Sequence, residues 1–221
     1  MTTSTAVHAD EETRERLLKV AERLFAERGF KEVTVREICS EAAANVAAVN
    51  YHFGDKLALY REVLQGAIRA MRDATEAARQ AGAGQTADEK LRRYIALFLR
   101  RLLAPGQETI HKLIEREIGS PTPALDDLVE QGVRPRMEYL SGVIAEMMAC
   151  DPSDRRVLLC VMSVQSQSLM YARRNPIAER LGFSAGRSPA EIDEAARHIA
   201  EFSIAGIRGI RDPGIGDRGS V

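Results

Sequence analysis

A nine-residue stretch has the residue types and spacing that could recognise a nucleic acid. It reads N-V-A-A-V-N-Y-H-F from Asn45 to Phe53 and is followed directly by Gly54-Asp55-Lys56. Asn45 is a favourable helix N-cap, because its side-chain oxygen can accept an unpaired amide hydrogen of the next turn. An α-helix fits the DNA major groove, where Asn can pair bidentately with adenine. On these residues alone an ordinary connecting helix is an equally good interpretation.

Helical spacing predicts which side of this short helix is free to make contacts. Val46 and Val49 are three residues apart and are predicted to face inward together. The outward side is predicted to carry small or polar residues, which are Ala47, Ala48 and Asn50. A helix with so little bulk on its outer side is suited to lie closely against another surface.

Two upstream helices are predicted to position this stretch. The first covers residues 11–28 with apolar residues at helical spacing, and it ends at Gly29, a residue type common at left-handed C-terminal positions. The second opens at Thr34, where T-V-R-E has the pattern of a capping box, and it ends near Ala42. Two short helices joined by a tight turn, the second capped by an asparagine, are typical of a helix-turn-helix.

These elements together resemble the DNA-binding domain of the TetR family of bacterial transcriptional regulators. The resemblance covers residues 13–64 and rests on F-A-E-R-G-F-K-E-V-T-V-R-E-I-C-S-E-A and Y-H-F-G-D-K-L-A-L-Y. The segment A-N-V-A-A-V-N-Y-H-F-G further resembles the YbiH/CecR-like branch of this family. Ala43 stands where most members have a turn glycine, and at positive φ this difference costs about 1 kcal/mol. Asn50 stands where many have a tyrosine, so base preference is not transferable from better-known relatives.

The resemblance implies which residues contact DNA. Those at the start of the second helix match positions that touch phosphate and occasionally a base, and they are Thr34, Val35 and Arg36. Those of the recognition helix are Asn45, Ala47, Ala48, Asn50 and Tyr51. His52 and Lys56 match residues that grip the DNA backbone, and the amide hydrogens at the start of the Lys56 helix also favour phosphate. Val46 lies in the same helix, but packing is its expected role.

The composition indicates a helical protein. The chain has 221 residues, of which 45% are hydrophobic and 5% aromatic, and the abundance of Ala, Arg, Glu and Leu favours packed helices over sheets. No apolar run approaches the roughly 20 residues needed to span a bilayer, and residues 1–10 lack a signal-peptide pattern. Three cysteines without a C-x-x-C pair disfavour a disulfide framework or a zinc site. We therefore expect a cytoplasmic protein without membrane association, cofactor or metal.

The resemblance also implies a homodimer. The family pairs its last two long helices into a four-helix bundle, which would correspond to Val157–Arg174 and Ile192–Ile210. Small residues in the second segment, Ala205, Gly206 and Gly209, would permit close approach. The alternative is a monomer that buries both helices internally. Because residues 34–61 carry three basic and three acidic side chains, DNA affinity would depend on a few placed contacts repeated by two-fold symmetry.

A small-molecule effector is the third implication of the resemblance. Family members bind such molecules among the helices of their second domain. The residues predicted to line an apolar cavity with a few polar points are Phe98, His111, Ile114, Met147, Met162, Gln165 and Tyr171. For each of them an ordinary place in the core is the alternative.

Patterns for catalysis are weak. The chain has no phosphate loop, nucleophile elbow or dinucleotide fingerprint. His111 and Glu115, and His198 with Glu194 or Glu201, could each contribute to a metal site, but surface ion pairs are the expected interpretation. Cys39 could sense oxidants if its pKa were lowered, although a small core residue is expected.

We therefore expect an all-α protein with two domains. An N-terminal three-helix helix-turn-helix domain would cover 11–56, an effector-binding and dimerisation domain 57–210, and tails 1–10 and 211–221. The expected function is a repressor, associated with the nucleoid when bound, that holds a near-palindromic double-stranded DNA operator as a homodimer until a small-molecule effector releases it. The open alternatives are an activator, a regulator without a ligand, and a helical binding protein that retains the helix-turn-helix as scaffold.

Overall fold

The computed structural model describes residues 2–171, 176–182 and 188–211. All regular secondary structure in these ranges is helical, which confirms the predicted all-α class. The helices are α1 (Thr2–Arg28), α2 (Val35–Glu41), α3 (Val46–Phe53), α4 (Lys56–Ala81), α5 (Ala87–Leu102), α6 (Glu108–Gly119), α7 (Leu125–Asp127), α8 (Arg134–Met148), α9 (Arg155–Met170), α10 (Pro176–Arg180) and α11 (Pro189–Arg211). A π-helical segment, Leu128–Val133, lies between α7 and α8.

The chain packs as two compact units. Unit 1 consists of Met1–Met71 and Gly106–Val133, and unit 2 consists of Arg72–Pro105 and Arg134–Val221. By packing, the beginning of α4 and the whole of α6 therefore belong with the helix-turn-helix. The predicted functional boundary after residue 56 stays a prediction, because packing does not report which residues bind DNA or an effector.

Unit 1 is built on α1, which packs against α2, α3 and α6. Leu17, Ala21 and Phe25 recur at helical spacing and are completely buried. The Tyr60 ring meets Phe25 edge to face at 5.0 Å between centroids. Its hydroxyl donates to the buried carboxylate of Glu117 at 2.7 Å, which links α4 to α6. Burial, and then this hydrogen bond, raise the pKa of Tyr60.

The ends of α1 differ in how well the sequence predicted them. The helix stops at Arg28 as predicted, and Gly29 follows with a φ of +85°, in the left-handed region where glycine is favoured. It begins at Thr2, however, inside the segment predicted to be a tail. Residues 2–10 contain neither proline nor glycine, so nothing in their sequence terminates a helix that propagates back from residue 11.

Unit 2 is a bundle of α5, α8, α9 and α11, in which α5 packs against both α8 and α11. Each helix contributes apolar side chains at helical spacing to one buried core, such as Leu91, Ile95 and Leu99 from α5. Pro135 occupies the first turn of α8, where its missing N–H is tolerated, and the π-helical segment ends two residues before it, at Val133. Predictions for residues 172–174 and 212–221 lie outside the described residues.

Candidate nucleic-acid interface

Helix α2 begins with the predicted capping box. The Thr34 hydroxyl accepts the Glu37 amide hydrogen at 3.2 Å, and the Glu37 carboxylate accepts the Thr34 amide hydrogen at 2.8 Å. The Glu37 carboxylate accepts hydrogen bonds from the Thr34 amide, from the Thr34 hydroxyl at 2.8 Å and from Arg28, and these lower the pKa of Glu37 to about 2. Arg36 is exposed beside this cap, whereas the predicted contact residue Val35 is half-buried against the unit 1 core.

The turn between α2 and α3 contains an alanine in a glycine conformation. Ala43 has a φ of +50°, which is the condition under which the absence of the family's glycine was expected to be costly. The Ala44 amide donates back to the Cys39 carbonyl at 2.9 Å, closing the end of α2. Arg16 adds a hydrogen bond from its Nε to the Ala42 carbonyl at 3.2 Å. The turn is therefore tight although no glycine lies in it.

Helix α3 starts at the predicted cap, because the Asn45 side-chain oxygen accepts the Ala47 amide hydrogen at 2.9 Å. Val49 is completely buried, as predicted, but Val46 is 44% exposed, so the prediction that it faces inward is wrong. Val46 is the first residue of the helix, and its side chain lies at the edge of the unit where no further turn covers it.

The outer side of α3 carries the residues that can reach another molecule. We call Val46, Ala47, Asn50 and Tyr51 the recognition face, since all four are exposed, Tyr51 by 76%. Ala48 was predicted to face outward as well, but it is half-buried and packs against the unit 1 core. Because successive residues of an α-helix are rotated by about 100°, Ala48 lies with Val49 on the side of α3 opposite the recognition face. The recognition face thus offers one amide, one phenol and two small apolar groups.

His52 occupies a different environment from the one predicted. Its side chain is only 6% exposed, and its Nε2 lies 3.5 Å from the Asp10 carboxylate of α1. The ring also contacts both neighbouring aromatic residues, Tyr51 and Phe53. The predicted grip on the DNA backbone is therefore not available to this side chain in the conformation described. The reason is tertiary, because α1 extends back far enough to bring Asp10 beside it.

Lys56 and Asp55 share the start of α4. The Asp55 carboxylate accepts the Ala58 amide hydrogen at 2.7 Å and so occupies one of the donors that a phosphate could use. The Lys56 ammonium lies over the Phe30 ring, 4.4 Å from its centroid. Burial lowers the pKa of Lys56, while Glu37 and Glu32 oppose that shift. The cation is thus held at the surface near α2 rather than extended freely into solvent.

Ion pairs change the charge balance around the recognition face. Within residues 34–61, Glu37 lies 3.0 Å from Arg28, and Glu41 pairs with Arg23. Both arginines come from α1 and lie outside residues 34–61. Arg61, in turn, is bound to Asp127 at 3.3 Å. Arg36 is exposed and has no ion pair with any residue in the part of the chain that the structure describes.

Cys39 belongs to the core of unit 1 and not to its surface. Its side chain is 2% exposed, and burial raises the pKa of its thiol. A raised pKa lowers the fraction of reactive thiolate. The structure therefore favours the core role over the oxidant-sensing one.

The predicted effector residues are distributed over both units. Phe98, Met147, Gln165 and Tyr171 lie in unit 2, in or against its core. Met162 also belongs to unit 2 but is 61% exposed, so the prediction that it lines an interior cavity is wrong. His111 and Ile114 lie in α6, which packs with unit 1. Phe98 also contacts Tyr94 and Arg136, two residues that were not predicted to belong to the effector site.

The structure also bears on the possible metal sites and on membrane association. Among the residues that the structure describes, no cluster of three or more His, Cys, Asp or Glu side chains could hold a metal ion. Glu201, one candidate partner of His198, instead accepts a hydrogen bond from Arg92 at 2.8 Å. No helix in the described ranges is long and apolar enough to cross a membrane.

Comparisons with known proteins agree with this architecture. Residues 17–63 match the family model of bacterial regulatory proteins of the tetR family, and residues 87–207 match the C-terminal domain of the HTH-type transcriptional dual regulator CecR. The chain is 30% identical to the HTH-type transcriptional dual regulator CecR of Shigella flexneri over 185 residues, covering 79% of this chain and 82% of that one. It is 40% identical to the HTH-type transcriptional repressor BepR of Brucella suis over 53 residues, 24% of this chain and 25% of that one.

The fold is also that of solved regulators. The TetR-family transcriptional regulator SCO4454 from Streptomyces coelicolor superposes with a TM-score of 0.63 at 20% identity, covering 90% of this chain and 97% of that one. Both family models, the Shigella relative and the fold thus agree with the exposed helix-turn-helix. The chain belongs to the TetR family of bacterial transcriptional regulators, in its CecR-like branch, and is a DNA-binding regulator and not an enzyme.

Proposed function

We propose that the protein is a cytoplasmic repressor that binds a near-palindromic operator as a homodimer and leaves it when a small molecule binds. The observation that carries this proposal is the recognition face, where an amide and a phenol project from a short capped helix with little surrounding bulk. Asn50 is the side chain suited to bidentate pairing with adenine, and Val46 and Ala47 are suited to contact a thymine methyl group.

Backbone contacts in this proposal come from the residues around the recognition face. Arg36 is exposed and outside any described ion pair, so it is the cation best placed to neutralise a phosphate. The Asn45 oxygen already caps α3, which leaves its amide nitrogen to donate to a phosphate oxygen. Lys56 contributes its charge from above Phe30. Because α1 arginines neutralise Glu37 and Glu41, these few cations act without strong local opposition.

Dimerisation is proposed through outward faces of α9 and α11. On α9 the exposed large apolar residues are Leu158, Leu159, Met162, Leu169 and Met170. On α11 an exposed stripe at helical spacing is Phe202, Ala205, Gly206 and Gly209. Solvent-facing apolar residues in such number on adjacent helices favour burial against a partner. Two-fold symmetry would then set the two recognition helices roughly 34–36 Å apart, one turn of DNA.

Release requires that the effector bind the DNA-incompetent form more tightly, since only differential affinity shifts an equilibrium. Helix α4 is the proposed lever, because it begins at Lys56 in unit 1 and its residues from Arg72 onward belong to unit 2. The prediction is that a bound effector changes the spacing of the two recognition helices. Spin-label distances between the two Lys56→Cys positions of a dimer, with and without effector, would test it. An effector that saturates the protein without altering either the distance or operator affinity would contradict the lever.

The decisive experiment is selection of bound duplexes from a random DNA pool by the purified protein, at two salt concentrations. Enrichment of one near-palindrome whose affinity falls steeply with salt is the expected result, because phosphate contacts release counterions. Enrichment of no sequence, with only salt-sensitive smearing, would overturn the operator proposal. The enriched duplex then serves in a reporter assay, where loss of the protein should raise transcription.

An activator is the second candidate function. The reason is that the Shigella relative is named a dual regulator, whereas the shorter Brucella match is named a repressor. The same reporter separates the two, since deletion of an activator lowers transcription from the operator-bearing promoter. A regulator that controls different promoters in opposite directions would give both results at different sites.

A further inference from the structure

Unit 2 contains a polar cluster that its packing does not explain. Tyr94 and Phe98 are one helical turn apart on α5 and stack with 5.8 Å between ring centroids and an angle of 8° between their planes. Gln165 of α9 donates a hydrogen bond from its Nε2 to the Tyr94 hydroxyl. Arg136 of α8 lies over the Phe98 ring, with its guanidinium carbon 5.1 Å from the centroid. Three helices thus bring an amide and a guanidinium to opposite members of one aromatic stack.

Two polar atoms of this cluster are buried without a hydrogen-bond partner. They are Oε1 of Gln165, a residue that is only 5% exposed, and Nε of Arg136. Leaving a buried donor or acceptor unpaired destabilises a protein, and more so when the group is charged. Among the described residues no carboxylate forms an ion pair with Arg136. One buried donor with positive charge and one buried neutral acceptor therefore remain available beside the stacked rings.

We propose that this cluster is the effector site and that it takes a planar aromatic carboxylate that also carries an N–H or O–H donor. The Arg136 guanidinium would donate to the carboxylate, and Gln165 Oε1 would accept the ligand's donor. The ligand ring would lie against the Tyr94–Phe98 stack. This inference rests on the proposed ligand-responsive function and specifies the chemistry of its ligand.

The charges around the cluster favour an anion over a cation. Arg136 acts on Tyr94 electrostatically and opposes the rise in the pKa of Tyr94 that burial causes. Tyr139, whose ring lies 6.0 Å from that of Tyr94, is itself covered by the Arg79 guanidinium at 5.2 Å. A cationic ligand would meet repulsion here, whereas a carboxylate would replace water around Arg136 with a charge-assisted hydrogen bond.

One end of the cluster is partly exposed to solvent. Phe98 and Arg136 are half-buried, whereas Tyr94 and Gln165 are buried. A ligand can therefore meet the guanidinium and the Phe98 edge first and reach the Gln165 amide by a local rotation of side chains. Phe98 and Gln165 were predicted from sequence as effector residues, and Arg136 is the charged residue that the structure adds to them.

The test is calorimetric titration of the full-length protein with matched probes. The first set is 4-aminobenzoate, 4-hydroxybenzoate and indole-3-carboxylate, and the second set is the corresponding neutral carboxamides, which keep each ring and donor but lose the charge. Benzylamine serves as the cationic probe. We expect at least one carboxylate to bind at least about tenfold more tightly than its amide, because a hydrogen bond to a charged group is worth more than one to a neutral group. Benzylamine should not bind.

Variants assign the preference to the cluster. Arg136→Met should abolish the preference for the carboxylate over its amide. Gln165→Leu should weaken binding of the carboxylate, because it removes the Oε1 acceptor for the ligand's N–H or O–H donor. Arg134→Met, an exposed arginine on the same helix, is the matched control and should bind as the unaltered protein does. Equal binding of carboxylate and amide, retention of the preference in Arg136→Met, or no binding of any carboxylate at millimolar concentration would each overturn the proposal.

Failure of this inference is distinguishable from failure of the proposed function. Operator binding by the ligand-free protein is measured with the duplex selected above. Intact operator binding without carboxylate selectivity rejects only the ligand class. If the protein binds a carboxylate but selects no operator, the repressor function is rejected and the proposed ligand site is retained.

Discussion

The recognition face of α3 and the outward faces of α9 and α11 are both exposed, but their chemistry is opposite. The first is small and polar at its centre, with Asn50 flanked by alanine and valine, whereas the second carries large aliphatic and aromatic side chains such as Met162 and Phe202. A hydrated groove with hydrogen-bonding base edges suits the first. An apolar partner surface suits the second, because burying its apolar side chains away from water lowers the free energy of the complex. Exposure alone therefore does not identify the partner; the polarity of the exposed groups does.

The largest effect is expected from charging the apolar face. Met162→Glu combined with Phe202→Glu should convert the dimer to monomers, since both side chains are more than half exposed in one chain and would be buried in the pair. Operator affinity should fall by about 100-fold or more, because joint binding of two linked half-sites is lost. Analytical ultracentrifugation and DNA titration measure the two effects.

Ile118→Glu is the control for that experiment. Ile118 is 67% exposed but lies on α6 of unit 1, so its substitution should leave the dimer intact. A dimer that survives the double substitution at Met162 and Phe202 would show that α9 and α11 do not form the interface.

The recognition face is tested by Asn50→Ala. We expect operator affinity to fall by roughly 10- to 100-fold per half-site, with relaxed preference at one operator position, as for the loss of a bidentate base contact. Competition titrations against operators altered at single positions measure both quantities. Gln85→Ala, an exposed amide outside unit 1, should change neither. Unaltered affinity and preference in Asn50→Ala would exclude this side chain from base recognition.

A smaller effect compares one turn from each unit. Ala43 in unit 1 and Ala149 in unit 2 have φ values of +50° and +52°, and both follow the end of a helix. Glycine at either position should raise the free energy of unfolding by about 0.5–1 kcal/mol. It removes the strain of an alanine in the left-handed region, and this gain exceeds the cost of the greater conformational entropy that glycine gives the unfolded chain. Chemical denaturation measures the change.

The control for these turns is Ala77→Gly in the exposed interior of α4. There the backbone is helical, so glycine should lower the free energy of unfolding by about 0.5–1 kcal/mol. Destabilisation by glycine at position 43 or 149 would mean that the alanine methyl makes packing contacts worth more than the backbone strain.

The smallest effect concerns the charge network beneath the recognition face. The pKa of Glu37 is lowered from 4.5 to about 2, chiefly by hydrogen bonds from Thr34 and then Arg28. A lowered folded-state pKa stabilises the folded state above the unfolded value, and this contribution disappears as the pH falls from about 4.5 towards 2. The difference in stability between the natural protein and Glu37→Gln should shrink over that window. NMR titration of the Glu37 carboxylate with a midpoint near 4.5 would contradict the network.

Local features of the helix-turn-helix were predictable from sequence because they depend on neighbours in the chain. The Thr34 capping box, the Asn45 cap and the glycine stop at Gly29 all involve residues within four positions of one another. The strained turn at Ala43 also followed from a comparison of residue types. These interactions form whenever the local backbone becomes helical, irrespective of the rest of the fold.

Other features depended on contacts between distant segments. His52 was expected to grip the DNA backbone, but the structure places it beside Asp10 of α1. Val46 was expected to face inward, but it is exposed. The charges of residues 34–61 are balanced in the sequence, but two of the three acidic side chains are paired with arginines of α1, Glu37 with Arg28 and Glu41 with Arg23. Residue spacing within either helix does not indicate which residues form an ion pair between two helices.

The amino-acid sequence by itself determined the all-α class, the bounds of α2, the start of α3, their caps and the resemblance to TetR-family regulators, since each follows from residue type and short-range spacing. Only the tertiary structure decided which side chains of α3 are exposed, which cations remain outside ion pairs, and that Arg136 and Gln165 present unpaired atoms beside one aromatic stack. The physical reason is that exposure and hydrogen-bond satisfaction are properties of the surroundings, which segments far apart in the chain supply.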